Sequence, residues 1–169
     1  MANKPFIVVD IDGTISNANP RSQKYLRGED GKDRKNKDWD SYFAACDTDE
    51  PIIPICNLVR NLSHFYNIIW CSGRRKSSLD KTLNWIEKYV FDFCAYYHPD
   101  EEYYLLRDDK DFRHDLEVKP QMLEKFIDKY NKSHKDPIKI EFFIEDRNSM
   151  VAKWRELGYT VLQPALGDF

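Results

Sequence analysis

The chain has 169 residues, of which 41% are apolar and 33% charged, with 26 Lys and Arg against 29 Asp and Glu. This length fits a single domain over residues 1–169, and the composition excludes an intrinsically disordered chain. The formal charge of −3 excludes the overall basic character of a dedicated nucleic-acid-binding protein, so a polyanion would have to bind at a local site.

The N-terminus offers no candidate membrane span. Its apolar run, Phe6 to Val9, ends at Asp10 and is too short for a signal peptide or a transmembrane helix. The four cysteines, at positions 46, 56, 71 and 94, form no CxxC pair, so neither a zinc ribbon nor a redox motif fits. We therefore expect reduced thiols in a cytoplasmic protein that binds no membrane.

Four short apolar runs predict buried strands of a parallel sheet, over 6–9, 68–71, 140–144 and 159–162. Amphipathic stretches between these runs predict helices over 52–62, 78–90, 120–130 and 149–157. Strands that alternate with helices are typical of an α/β domain in which helices flank a parallel sheet.

The segment from Ser16 to Asp47 interrupts this alternation. Seven basic residues precede three aromatic ones there: Arg21, Lys24, Arg27, Lys32, Arg34, Lys35 and Lys37, then Trp39, Tyr42 and Phe43. A segment of this length inside a compact domain is usually functional or disordered, and we interpret it as an insertion or cap over the end of the sheet. We expect its aromatic side chains to pack together, with stacking on a nucleobase as the alternative.

The strongest motif, Asp10-Ile11-Asp12-Gly13-Thr14, directly follows the first strand. Two carboxylates two residues apart at a strand's carboxyl end can face one cleft, where a cation or protonation must relieve their repulsion. A calcium EF-hand is excluded because the chain has Thr14 and Ile15 where that loop requires an acid or amide and a glycine.

Three further groups of polar residues fall beside the predicted elements. Ser72-Gly73-Arg74 ends the second strand, and Glu145-Asp146 ends the third. Lys119 precedes Pro120, which we predict to be the first residue of a helix. Each group alone fits a turn, a solvated lysine or a helix cap. Together they lie where open parallel sheets bind ligands.

In this order, the four elements resemble the four motifs of the haloacid dehalogenase (HAD) superfamily of phosphotransferases. The resemblance implies a three-layer, Rossmann-like fold with a small cap after the first strand. Asp12 favours the phosphatase branch, because the dehalogenase and ATPase branches differ at this position and lack its acid/base group.

A closer resemblance is to the 3′-phosphatase domain of phage polynucleotide kinase. The similar stretches are 46–49, 72–74, 113–115 with Lys119, 145–147 with Trp154, and 167–169. Arg21 also falls where that family has a substrate-side arginine. Glu145 replaces the more usual aspartate, and the segment between Arg21 and Cys46 is longer and more charged. The 169 residues contain no GxxxxGK[ST] motif, so no kinase step is expected.

The resemblance implies a role for each motif residue. Asp10 would be the nucleophile, Asp12 the general acid and base, and Ser72 and Lys119 the groups that hold the phosphoryl oxygens. The implied metal is Mg²⁺, with the ligands Asp10, Asp12 through its carbonyl, and Asp146, and with Glu145 orienting bound water. The candidate substrate-binding residues are Thr14, Arg21, Gly73, Arg74, Arg113 and Asp115, and we expect Asp115 to pair with Arg74 or Lys119.

The sequence therefore predicts a Mg²⁺-dependent phosphomonoesterase whose partner is a nucleotide or a nucleic-acid 3′ end, by resemblance a polynucleotide 3′-phosphatase. A 5′-nucleotidase acting on free nucleoside monophosphates is the alternative, since an acidic domain need not bind a polymer. A non-catalytic nucleic-acid-binding module is a third reading. The presence of Asp10, Asp12, Lys119 and Asp146 argues against it, because such relics commonly lose a nucleophile or metal ligand.

Overall fold

The computed structural model of the chain describes residues 4–92 and 100–167. The expectations for Cys94 and for Asp168-Phe169 concern residues outside these ranges. The strands are β1 Phe6–Val9, β2 Ser16–Asn17, β3 Glu50–Pro51, β4 Asn67–Arg75, β5 Tyr104–Arg107, β6 Ile140–Ile144 and β7 Val161–Leu162. The α-helices are α1 Asn19–Tyr25, α2 Trp39–Ala44, α3 Ile53–Leu62, α4 Leu79–Tyr89, α5 Asp115–Ser133 and α6 Asn148–Glu156.

Five strands form one parallel sheet in the order β5-β4-β1-β6-β7. The central strand, β1, is buried along its whole length, and its side chains alternate between two cores. Ile7 and Val9 pack with residues of α3 and α4, whereas Phe6 and Val8 pack with residues of α5 and α6. This period-two alternation produces three layers, which confirms the predicted α/β class.

The register of β1 brings three strand ends together. Val9 lies opposite Trp70 of β4 and opposite Ile144 of β6. The residues that follow in each strand, Asp10, Cys71 and Glu145, therefore start from neighbouring positions at one edge of the sheet. This edge is where the sequence predicts a ligand site.

The structure corrects the predicted start of α5. The helix begins at Asp115 rather than at Pro120, so Lys119 lies inside it. The His114 ring accepts a hydrogen bond from the Leu116 N–H, and the acidic Asp115 and Glu117 in the first turn suit the positive end of the helix dipole. These capping features outweigh the preference of proline for a helix start, and Pro120 is accommodated within the helix.

The edge strand β5 was not predicted. Its side chains alternate between buried and half-buried, and Tyr104 stacks on Trp70 with ring centroids 6.1 Å apart. The predicted strand over 159–162 is shorter in the structure, since only Val161–Leu162 pairs with β6. The boundaries of α3, α4 and α6 agree with the predictions to within one residue, whereas α5 ends at Ser133 rather than at Tyr130.

The insertion after β1 contains two short helices, α1 and α2. Its two ends pair antiparallel, with Ser16 opposite Pro51 and Asn17 opposite Glu50. Tyr42 and Phe43 are buried and form a small core with Leu26. The expected packing of aromatic side chains in this segment is therefore present in the structure.

Two expectations about the whole chain can be compared with the described residues. Cys46, Cys56 and Cys71 are free thiols, and all three are buried. Among the helices in residues 4–92 and 100–167, none is long and apolar enough to cross a membrane.

Candidate active site

The loop after β1 places Asp10 and Asp12 at the carboxyl edge of the sheet. The Asp10 N–H donates to the Ile144 carbonyl, and the N–H groups of Ile15 and Ser16 both donate to the Ile11 carbonyl. Gly13 has φ of +91°, and a Cβ there would lie 2.3 Å from Asp146 Oδ2. Only glycine lets this turn lie directly against Asp146.

Three carboxylates and one ammonium group form what we call the acid cluster: Asp10, Glu145, Asp146 and Lys119. Lys119 Nζ lies 2.7 Å from Asp10 Oδ1 and 2.9 Å from Glu145 Oε2. One carboxylate oxygen from each of the three acids lies within 4.8 Å of the others. All four side chains are buried. Lys119 of α5 therefore contacts the acids that directly follow β1 and β6 at the edge of the sheet.

Negative charge predominates in the acid cluster, as the pKa values of its carboxyl groups indicate. Burial, with Glu145 close by, raises the pKa of Asp10 to about 7 although Lys119 opposes the shift. Burial and Asp10 raise the pKa of Asp146 to about 6, and burial raises that of Glu145. Burial alone would lower the pKa of Lys119, but Asp10 and Glu145 raise it well above its usual range.

The acid cluster fits a hard divalent cation. Its donor atoms are all carboxylate oxygens, the ligands that Mg²⁺ and Ca²⁺ prefer. Burial raises the pKa values of Asp10 and Asp146 most, and repulsion between the acids adds to the shift; a cation would offset that repulsion. Thr14 orients Asp146, since its Oγ1 lies 2.8 Å from Asp146 Oδ1 and accepts a hydrogen bond from the Asp146 N–H.

A second group, the arginine cluster, consists of Asp12, Asp49, Arg21 and Arg74, all of which are buried except the partly exposed Asp12. Asp12 Oδ1 lies 2.8 Å from Arg21 Nη2 and 2.7 Å from Arg74 Nη2. Asp49 receives Nε and Nη2 of Arg21 at 2.9 and 2.7 Å, a bidentate pair. Ser16 Oγ lies within 3.3 Å of both aspartates. This cluster joins the insertion to the end of β4.

The arginines determine the protonation state of Asp12. Burial alone would raise the pKa of Asp12, but Arg74 and Arg21 hold it well below its usual range. Asp12 is therefore ionised in this arrangement, whereas burial raises the pKa of Asp49. The two aspartates of the Asp10-x-Asp12 motif thus lie in opposite electrostatic environments.

The end of β4 supplies a further polar surface. Ser72 is buried, and its Oγ accepts a hydrogen bond from the Arg74 N–H at 3.3 Å. A Cβ at Gly73 would lie 2.9 Å from Asp115 Oδ1, so glycine permits the close approach of this carboxylate. Asp115 pairs with Arg107 and, at 2.8 Å, with Arg147. This corrects the expectation that Asp115 pairs with Arg74 or Lys119.

Most candidate residues from the sequence lie in or beside the two clusters, with one placed elsewhere. Arg113 is exposed and pairs with Asp111 and Gln121. The sequence reasoning assigned no role to Asp49 or Arg107. Asp49 belongs to the 46–49 stretch that carries part of the family resemblance. Arg107 is the last residue of β5, a strand that the sequence patterns do not predict. Recognising β5 would have directed attention to its carboxyl end.

The fold and the site define the class of the protein. A parallel sheet with Asp10, Asp12, Ser72 and Asp146 at its carboxyl edge, and with Lys119 reaching this edge from α5, belongs to a HAD-type phosphatase, a phosphoric monoester hydrolase. The family model for the polynucleotide kinase PNKP phosphatase domain matches residues 4–169. The chain therefore belongs to this phosphatase family.

Solved structures of similar fold agree with this assignment. A chain of the Pnkp1/Rnl/Hen1 complex is 25% identical with a TM-score of 0.66, over 98% of this chain and 47% of that one. A chain of the Pnkp1/Rnl/Hen1 RNA repair complex is 24% identical with a TM-score of 0.63, over 100% of this chain and 45% of that one. The present chain thus spans about half the length of these two neighbours.

A more distant neighbour shares only the fold. It is a haloacid dehalogenase-like hydrolase from Streptococcus pneumoniae, 16% identical with a TM-score of 0.57, matched over 96% of this chain and 85% of that one. No curated protein matches the chain in sequence.

Proposed function

We propose that the chain is a Mg²⁺-dependent polynucleotide 3′-phosphatase that transfers the terminal phosphate to Asp10 and then hydrolyses the aspartyl-phosphate. One observation carries the proposal. The buried Asp10 carboxylate is held by Lys119 beside Glu145 and Asp146, in a chain that matches the polynucleotide kinase phosphatase family over residues 4–169.

In the first step, an Asp10 oxygen attacks the phosphorus, and an O–P bond forms as the P–O3′ bond breaks. The sugar hydroxyl leaves and takes up a proton. Lys119 favours the ionised, nucleophilic form of Asp10 and holds it in position. Ser72 lies at the neighbouring strand end, where its hydroxyl can donate to a phosphoryl oxygen.

The acid cluster is the proposed Mg²⁺ site. Asp10, Asp146 and the backbone carbonyl of Asp12 would hold the ion, with Glu145 as the fourth group. When bound, Mg²⁺ neutralises charge on the phosphoryl oxygens during transfer. The oxygen-only donor set and the raised pKa values of Asp10 and Asp146 support this assignment.

Asp12 is the proposed proton-transfer group for both steps. Its ionised state suits the second step, in which it accepts a proton from the water that attacks the aspartyl-phosphate. In the first step it must donate a proton to the leaving 3′ oxygen, so it must first take up that proton from solvent, which requires Arg21 and Arg74 to loosen their hold. A substrate phosphate is the anion that competes with Asp12 for these two arginines.

Two observations support a nucleic-acid 3′ end as the substrate: the match to the family model, and the structural similarity to a chain of an RNA repair complex. The test is to compare kcat/KM on a 3′-phosphorylated oligonucleotide, a 3′-mononucleotide and a 5′-mononucleotide, each with Mg²⁺. We expect the oligonucleotide to be the best substrate and its rate to fall steeply with salt, as it does for proteins that contact several backbone phosphates. A clear preference for the 5′-mononucleotide would show a 5′-nucleotidase instead.

A further inference from the structure

Beyond the reaction centre, two segments of the chain meet at Arg75, the residue that follows Arg74 in β4. The Arg75 guanidinium lies 5.0 Å from the ring centroid of Phe43 in α2 and 5.7 Å from that of Phe112. Phe43 in turn stacks on Trp39, with centroids 5.8 Å apart and an interplanar angle of 22°. Asp40 of α2 forms an ion pair with Arg75. We call Trp39, Phe43, Arg75 and Phe112 the aromatic rim.

Phe112 is displayed to solvent by an ordered loop. The side chain is 78% exposed, whereas Phe43 beside the same arginine is buried. Arg107 donates to the carbonyls of Asp111 and Arg113, which flank Phe112, and Arg113 pairs with Asp111 at 2.6 Å. These hydrogen bonds hold the residues on either side of Phe112, while its ring is exposed and contacts Arg75.

This loop leads directly to the active site. It ends at Asp115, which approaches Gly73 of the Ser72-Gly73-Arg74 segment and pairs with Arg147 next to Asp146. Two residues separate Phe112 from Asp115, so their Cα atoms are at most about 11 Å apart. Asp115 lies one helical turn before Lys119 in α5, and Lys119 Nζ lies 2.7 Å from Asp10 Oδ1. The segment that carries Phe112 thus leads directly to the acid cluster.

The side chains of the aromatic rim indicate the kind of ligand that it binds. Exposed aromatic rings with a neighbouring arginine bind unpaired nucleobases by stacking and cation–π attraction, without regard to sequence. A surface depression of about 650 Å³ beside Phe112 is lined by Asp108, Lys110, Asp111 and Arg113. Arg113 pairs with Asp111 and offsets its charge, so this carboxylate repels the phosphates of a nucleic-acid strand less than an unpaired one would.

We infer that Phe112, supported by Arg75, is a stacking subsite for the unpaired base of the nucleotide that precedes the 3′-terminal nucleotide in single-stranded nucleic acid. The inference rests on the proposed function, since the strand must enter with its 3′ end at Asp10. It adds a residue that determines the preference for a polymer over a mononucleotide.

The test is the ratio of kcat/KM on a 3′-phosphorylated oligothymidylate to that on thymidine 3′-monophosphate, in wild type, Phe112→Ala and Phe112→Tyr. Since stacking contributes roughly 1–3 kcal/mol per base, Phe112→Ala should lower this ratio about tenfold, mainly through KM for the oligonucleotide. Phe112→Tyr should keep the ratio, because it retains the ring. Phe65→Ala, which removes a 70% exposed ring at the opposite end of β4, is the matched control and should change nothing.

A substrate with an abasic residue before the terminal nucleotide completes a double-mutant cycle. The abasic residue should lower kcat/KM of the wild type about as much as Phe112→Ala lowers kcat/KM on the normal oligonucleotide. Phe112→Ala acting on the abasic substrate should show no further decrease. An unchanged ratio in Phe112→Ala, while wild type still prefers the oligonucleotide, would overturn the subsite alone. A wild type that prefers the 5′-mononucleotide would overturn the proposed function and the subsite with it.

Discussion

The acid cluster and the arginine cluster start from the same loop, yet their charges are arranged in opposite ways. Around Asp10, three buried carboxylates share one ammonium group, and the pKa values of the acids rise. Around Asp12, two aspartates face two arginines, and the pKa of Asp12 falls. The first arrangement has an excess of carboxylates, whereas the second is balanced. The two aspartates of the Asp10-x-Asp12 motif thus start a carboxylate-rich group and an ion-paired group that joins the insertion to the core.

The largest expected effect is at the nucleophile. Asp10→Asn keeps the size of the side chain but removes the attacking carboxylate, so kcat on a 3′-phosphorylated oligonucleotide should fall by about four orders of magnitude or more. The far-ultraviolet circular dichroism spectrum should stay unchanged. Asp128→Asn, at an exposed position of α5, is the control and should retain full activity. Residual activity near the wild-type rate in Asp10→Asn would exclude this residue as nucleophile.

The next largest effect tests the need of the acid cluster for a cation. Asp146→Asn removes one of the three carboxylates, and activity should fall roughly a hundredfold or more, because a bound metal contributes several kcal/mol to phosphoryl transfer. Titration calorimetry with MgCl₂ should show heat of binding for wild type and much weaker binding for Asp146→Asn. Equal Mg²⁺ affinity in the two proteins would mean that the ion binds elsewhere.

The arginine cluster should respond chiefly in stability. Asp49→Asn leaves Arg21 and Arg74 buried with one carboxylate, so the free energy of unfolding should fall by about 3 kcal/mol, as measured by urea denaturation. Asp47→Asn, two residues away and half exposed in a pair with Lys81, should lower it by less than about 1 kcal/mol. Similar losses in both variants would contradict a structural role specific to the buried cluster.

The last expected effect is a pH dependence of stability. Because the pKa values of Asp10 and Asp146 are raised in the folded state, folding takes up protons, and stability should fall as pH rises from about 4 to about 7 without divalent cations. The raised pKa of Lys119 and the lowered pKa of Asp12 leave their contributions constant in this window. Mg²⁺ should therefore raise the thermal midpoint more at about pH 8 than at about pH 5. A cation effect independent of pH would speak against carboxylate ligands.

The sequence was sufficient for four of the five strands of the sheet and for the edge that carries the candidate site, because these follow from local patterns. Apolar runs mark the buried strands, and the acids directly after β1 and β6 must lie at the same edge of the sheet once the strands are parallel. The start of α5 was misplaced because Pro120 carries a strong local signal for a helix start. The cap at His114 and the acidic first turn outweigh it.

The arginine cluster could not be predicted, because no local pattern connects its members. Arg21 and Asp49 are 28 residues apart, and Arg74 and Asp12 are 62 apart. They meet only after the insertion has folded back through the pairing of β2 with β3. Arg21 and Arg74 were identified as substrate-binding candidates by resemblance, and the structure adds that aspartates already occupy both.

The central claim is that phosphate passes through Asp10, and a rapid-quench experiment tests it most directly. Wild-type protein with Mg²⁺ is mixed with a substoichiometric oligonucleotide carrying a radiolabelled 3′-phosphate, quenched in acid at successive times and digested with protease. The label should appear transiently on the peptide that contains Asp10 and then decay into inorganic phosphate, and it should never appear on the Asp10→Asn protein. Release of phosphate at the wild-type rate with no label on that peptide at any time would contradict the account.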